Sequence, residues 1–425
     1  MSIPTRRRLL ATAPTAALLG AVRAAFPAGA AAQSAGPETR GVVLGYIALT
    51  DAAPLIAAKE RGIFAKYGMA DVQIVKQASW GAVRDNLVLG GAAGGIDGAH
   101  ILSPMPYLLH SGHEVQNGQK LPMAILARLN VNGQGISVSK ALQPLGAGLD
   151  ATPLRAAFAA HRASNKVAMT FHGGTHDLWL RYWLAAAGIN PDRDVENIVV
   201  PPPQMVANMK VGTMDALCVG EPWNDQIVHQ AIGYSACVTG EIWNDHPEKS
   251  LGMRADWVNA NPRAAVALTA AVIEAQIWCD ELANKEELAG MIAKRAWFNV
   301  PAADILPRSK GDIDYGDGRK LSNSPLRMKF WADHASFPYR SHDLWFLTEN
   351  MRWGVLPPDT DAKALIGQVN REDIWRAAAS MAGVASADIP ATSSRGTERF
   401  FDGKVFDPAD PGTYLASLAI KKAAA

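Results

Sequence analysis

The run Lys166-Val167-Ala168-Met169-Thr170 leads into Phe171-His172-Gly173-Gly174-Thr175-His176-Asp177 and on to Leu178-Trp179-Leu180-Arg181-Tyr182-Trp183-Leu184. A β-type segment, a glycine turn and an apolar helical segment follow one another without a break. A strand feeding a helix in this way is the unit from which parallel α/β sheets are built. At the turn, two glycines, a hydroxyl and two imidazoles stand where a helix leaves its first N–H groups without partners. Glycine there lets a ligand approach the backbone, and the helix dipole favours an anion. The same residues also describe an ordinary capped helix, and taken alone they leave both readings open.

Working outward, the same unit recurs. Val42 to Ile47 reads as a strand, Thr50-Asp51 as the N-cap of a helix from Ala52 to Arg61, and Val72 to Val75 as the next strand. Trp80 stands at another strand-to-helix junction, the edge at which α/β sheets bind ligands, although a core tryptophan would read the same way. Ile96 to Ile101 and Met123 to Leu129 read as further strands. Gln134, between Gly133 and Gly135, opens another β run; its amide either donates to a ligand oxygen or serves the turn. Ile198-Val199-Val200 runs into Pro201-Pro202-Pro203, and Leu217-Cys218-Val219-Gly220 ends in a small-residue loop. Lys249 falls in a polar loop ahead of a short β run, where a solvated lysine is the ordinary expectation. The last third reads as helical packing material. It opens with one long amphipathic helix from Pro262 to Leu288, with a charged face at Glu281, Lys285, Glu286 and Glu287, and continues with shorter helices at 361–369 and 371–381.

With 425 residues and 48% hydrophobic content, two domains are expected. A net charge of +1 leaves no footprint for nucleic acid. The N-terminus carries Arg6-Arg7-Arg8-Leu9-Leu10, a short apolar run and Ala30-Ala31-Ala32, which together describe a cleaved export signal of twin-arginine type over residues 1–32. Removing its four arginines leaves 37 basic against 40 acidic residues, a net of −3. A lipid anchor is not expected, because no cysteine lies near the cleavage site. Cys218 and Cys237 are either a pair or two buried thiols. There is no Gly-x-Ser-x-Gly elbow, P-loop or His-Glu-x-x-His. Donors, a cation and an aromatic wall without an activated nucleophile point to binding of a small anion rather than to an enzyme.

Several blocks of this sequence then resemble the nitrate-binding periplasmic proteins of ABC transporters, a group with bicarbonate-binding relatives. They are residues 45–55, Ala78-Ser79-Trp80, Gly133-Gln134-Gly135-Ile136, Gly173-Gly174-Thr175-His176-Asp177, residues 219–224 and His246-Pro247-Glu248-Lys249, in the family's order and spacing. The resemblance implies a type II periplasmic binding protein, with two α/β lobes closing over a ligand and a helical C-terminal region. It implies residues 40–130 with about 250–400 as the first lobe and 131–249 as the second. It places ligand contacts on Trp80, Gln134, His176 and Lys249, with Gly174, Pro202 and Val219 lining the cavity. Lysine at 249 stands where the bicarbonate branch carries an acid linked to calcium, so nitrate or nitrite is implied, with neither metal nor cofactor. The implied partners are an ABC permease and its ATPase, and the implied form is a soluble periplasmic monomer. The alternatives are a nitrate sensor regulating a partner, a receptor for bicarbonate or an alkylsulfonate, and an enzyme on the same fold.

Overall fold

The computed structural model describes residues 36–160 and 165–422, so the export signal lies outside the described residues. Two five-stranded sheets organise the chain. The first contains β1 (Val43–Tyr46), β2 (Gln73–Lys76), β3 (Gly98–Leu102), β4 (Met123–Arg128) and β10 (Lys249–Arg254), in the order β2-β1-β3-β10-β4. The second contains β5 (Gln134–Ser139), β6 (Lys166–Met169), β7 (Glu196–Val199), β8 (Ala216–Gly220) and β9 (Gly233–Val238), in the order β7-β6-β8-β5-β9. In each sheet four strands point the same way, and one antiparallel strand fills the fourth position. That strand arrives by crossing from the other sheet: β5 follows β4, and β10 follows β9. Both crossings therefore deliver their first residues, Gln134 and Lys249, to the carboxyl ends of the parallel strands, the edge at which α/β sheets bind ligands.

Burial follows from sequence. β3, β4, β5, β8 and β9 are buried at every residue, as expected of strands covered on both faces. The helix Thr175–Ala186 buries eleven of its twelve residues. Trp179 stacks on Trp345 at 4.9 Å, and Tyr182 donates to Asp402 at 3.0 Å, so the C-terminal segment packs directly on this helix.

Three sequence expectations are corrected here. Asp51 caps no helix: a 3-10 turn at Thr50–Ala52 precedes the helix Ala53–Glu60, and the Asp51 side chain makes no cap bond. The long helix ends at Asp280, and a second helix spans Lys285–Ala293. It stops because Asp280 turns to the backbone N–H groups of Phe330, Trp331 and Ala332, while Lys285 is buried and donates to the Cys279 carbonyl at 2.7 Å. Lys249 begins a strand instead of lying in a loop. The open cysteine question resolves to buried free thiols. Cys218 and Cys237 both flank Ile136 on opposite sides of β5, about 10 Å apart by strand spacing, too far to bridge. Among the described residues no helix is long and apolar enough to cross a membrane.

Candidate functional site

Trp80, Gln134, His176 and Lys249 lie in one fully buried region. Each arrives from a separate strand end: Trp80 opens the helix Trp80–Leu89 after β2, Gln134 opens β5, His176 lies in the first turn of Thr175–Ala186 after β6, and Lys249 opens β10. His176 Nε2 lies 2.7 Å from Gln134 Oε1, and Lys249 Nζ lies 3.5 Å from the same oxygen. The ammonium also sits 6.0 Å from the centre of the Trp80 ring.

Two carboxylates join this cluster. Lys249 Nζ lies 3.0 Å from Asp51 Oδ2 and 2.7 Å from Glu248 Oε2. Asp51 also accepts from Gln134 Nε2 at 3.1 Å and from His100 Nε2. Glu248 accepts from the Thr175 hydroxyl at 2.9 Å and from Trp179 Nε1 at 2.6 Å. The solvated-lysine reading of Lys249 is therefore wrong: a lysine this deep requires paired acids. Asp51, Glu248 and His100 escaped the sequence reading. Asp51 and Glu248 stand inside blocks already singled out, but the sequence reading makes Asp51 a helix cap and gives Glu248 no role. His100 carried no signal beyond its place at the end of a strand.

The electrostatics follow from burial and pairing. Burial disfavours the Lys249 charge, yet Asp51 and Glu248 outweigh it and hold the ammonium above its ordinary value. Burial pushes on the Asp51 carboxyl too, but Lys249 and His100 hold it well below the usual range. Burial raises Glu248. Burial and the nearby ammonium press His176 well below the ordinary imidazole value, so it is neutral. Its Nε2–H then donates to Gln134 Oε1, leaving Nδ1 to accept from the Thr170 hydroxyl at 2.5 Å.

The opening turn is built for close approach. Gly173 adopts φ +69, a left-handed conformation that glycine takes without cost. A Cβ on Gly174 would come within 2.6 Å of Leu102 Cδ1. The Gly173 N–H is taken by Asp177 Oδ2 at 2.8 Å, so the His176 imidazole, rather than that N–H, reaches the cluster. Val219 lies in β8 opposite Gly135. Pro202 is buried in the turn Pro202–Gln204 beyond β7, and no hydrogen bond joins it to the cluster.

Two α/β lobes that exchange strands and meet around a buried polar cluster define a periplasmic-type solute-binding protein. The chain belongs to the NMT1-like family, whose pattern matches residues 35–293, and within it to the group of nitrate, nitrite and bicarbonate receptors. It is 60% identical to the nitrate/nitrite binding protein NrtA of a Nostoc species, over 91% of this chain and 87% of that one. The bicarbonate-binding protein CmpA of Synechococcus elongatus is 45% identical over 91% of this chain and 88% of its own length. The crystal structure of the periplasmic nitrate-binding protein NrtA from Synechocystis superposes with a TM-score of 0.89, at 58% identity, covering 91% of this chain and all of that one.

Proposed function

We propose that the protein is a periplasmic receptor that captures nitrate, or nitrite, and hands it to an ABC permease and its ATPase. The observation that carries this reading is the buried Lys249 ammonium, held by Asp51 and Glu248 next to Gln134, His176 and the Trp80 ring. The relatives' names, nitrate/nitrite binding above bicarbonate binding in identity, support it.

In this reading residues 40–130 with about 250–400 form one lobe and 131–249 the other, and the ligand is held where their strand ends meet. Lys249 supplies the charge that a buried anion needs. To bind the anion, the Nε2–H groups of His176 and Gln134 exchange the partners they hold here, Gln134 Oε1 and Asp51, for ligand oxygens, in bonds made stronger by the ligand's charge. The Trp80 ring excludes water, while Gly174, Pro202 and Val219 complete the walls. Lys249 is already paired with Asp51 and Glu248, so the anion shares its ammonium with two carboxylates. Such a site suits a weakly basic monoanion better than a dianion. The C-terminal segment, packed on the helix that carries His176, acts as a brace for that wall.

Lys249→Glu puts a third carboxylate where the cation stood, and calorimetry on this variant should show no nitrate binding. Unchanged affinity would sink the assignment. A thermal-shift panel of nitrate, nitrite, bicarbonate with calcium, sulfonates and cyanate should give the largest stabilisation with nitrate or nitrite.

A further inference from the structure

Asp51, His100, His176, Glu248 and Lys249 meet in one buried cluster, with His246 close behind His176. Its formal charges are two carboxylates against one ammonium. A monoanion entering alone deepens a buried negative excess, which is costly without a further positive charge.

The hydrogen bonds show where such a charge fits. The Asp51 oxygens accept from His100, Gln134 and Lys249, and the Glu248 oxygens from Thr175, Trp179 and Lys249. His176 engages both ring nitrogens, with Thr170 and Gln134. His246 does the same, with the Pro247 carbonyl at 3.2 Å and Thr239 Oγ1 at 2.7 Å. His100 differs: Nε2 faces Asp51, while Nδ1 is buried without a partner among the described residues. Among the described residues, β1, β10 and the helices Trp80–Leu89 and Met105–Ser111 pack closely on β3. β1 brings no charged side chain; β10 brings Lys249 to the cluster and ends in Arg254, paired with Asp256; the helix Trp80–Leu89 brings the Trp80 ring, 5.4 Å from the imidazole, while its Arg84 and Asp85 pair with each other at 2.8 Å. The helix Met105–Ser111 carries its histidine, His110, at the far end, bonded to Gln368 at 3.1 Å.

We propose that the receptor takes up its anion together with one proton, which lodges on Nδ1 of His100. The buffer acid's bond to hydrogen breaks, its electron pair stays on the conjugate base, and an N–H bond forms at Nδ1; the Nε2–H stays on the His100 ring, hydrogen-bonded to Asp51. The imidazolium so formed lies between Asp51 and the Trp80 face and restores the charge balance that the anion disturbs. In the anion-free state burial holds His100 below its ordinary value against the pull of Asp51, and an incoming negative charge adds to that pull. Because binding takes up a proton, affinity falls as pH rises, by about tenfold per pH unit for one full proton.

The inference rests on the nitrate reading, and one experiment separates the two. Nitrate is titrated calorimetrically into the protein at pH 6.5 in buffers of different ionisation enthalpy. The observed heat should change linearly with buffer enthalpy, with a slope approaching one proton per anion. In His100→Gln the anion should still bind, more weakly, with the slope reduced to zero. Nitrate binding with buffer-independent heat overturns the inference alone. A slope unchanged in His100→Gln assigns the proton elsewhere, to His176, and also overturns it. No heat with nitrate or nitrite overturns the ligand reading and this inference with it. Should His100→Gln not fold, nitrogen-15 spectra of histidine-labelled protein decide: His100 Nδ1 should change from unprotonated to protonated on nitrate addition, and no change overturns the proposal.

Discussion

The two sheets share one topology and bring different chemistry to the site. In both, parallel strands lead to the cluster and an antiparallel strand from the other sheet begins there. The first sheet sends Asp51, His100 and Lys249, with Trp80 beside them; the second sends Gln134 and His176, neither of them charged. Topology explains the meeting point, because α/β sheets place their loops at the carboxyl ends of parallel strands. It does not explain the division of labour. One half manages charge, and the other presents hydrogen bonds whose directions are set by a strand start and a helix turn.

The most severe way to break this division is to remove the cation. Lys249→Met leaves Asp51 and Glu248 buried and facing each other without compensation. Chemical denaturation should show about 3–5 kcal/mol less stability, the usual cost of orphaning a buried charge. Removing the neutral half's central amide should hurt binding more than folding. Gln134→Leu deletes the group that links His176 to Asp51, and nitrate affinity by calorimetry should fall by about 1.5–3 kcal/mol, as for hydrogen bonds to a charged group.

A gentler probe sits on the seam between the halves. Trp179→Phe removes the N–H that Glu248 accepts at 2.6 Å but keeps an aromatic ring against Trp345. Thermal unfolding should report a loss of about 1.5 kcal/mol. The smallest effect is acid sensitivity in the neutral half. Burial pushes the His246 imidazole down to about 3, against about 6.5 in the unfolded chain. Between these values the unfolded chain binds the extra proton, so stability falls as pH falls. From pH 7 to pH 6 this one histidine should cost about 0.7 kcal/mol, and His246→Gln should flatten that part of the stability profile.

Much of this architecture is legible in the sequence, for reasons visible in particular residues. Val42 to Ile47, Val72 to Val75 and the Lys166–Leu184 run show their periods and punctuation locally, so strand and helix follow directly. Trp80, Gln134, His176 and Lys249 were found through the family resemblance, and the fold brings all four together. Asp51 was misread because an acid before a helix looks the same whether it caps that helix or crosses to a lysine nearly two hundred positions away. The helix from Pro262 was read too long because nothing local shows that Asp280 is claimed by the backbone of residues 330–332.

The sequence by itself determined the alternation of strands and helices and the donors, cation and aromatic ring that stand as candidate groups. Those properties depend on neighbours within a few positions, or on residue type alone. Tertiary structure decided that Lys249 is buried between two acids, that Cys218 and Cys237 cannot pair, and that His100 stands beside the site with a free nitrogen. Each of these depends on strand exchange between the two sheets, which joins residues far apart in the chain and leaves no local mark on any of them.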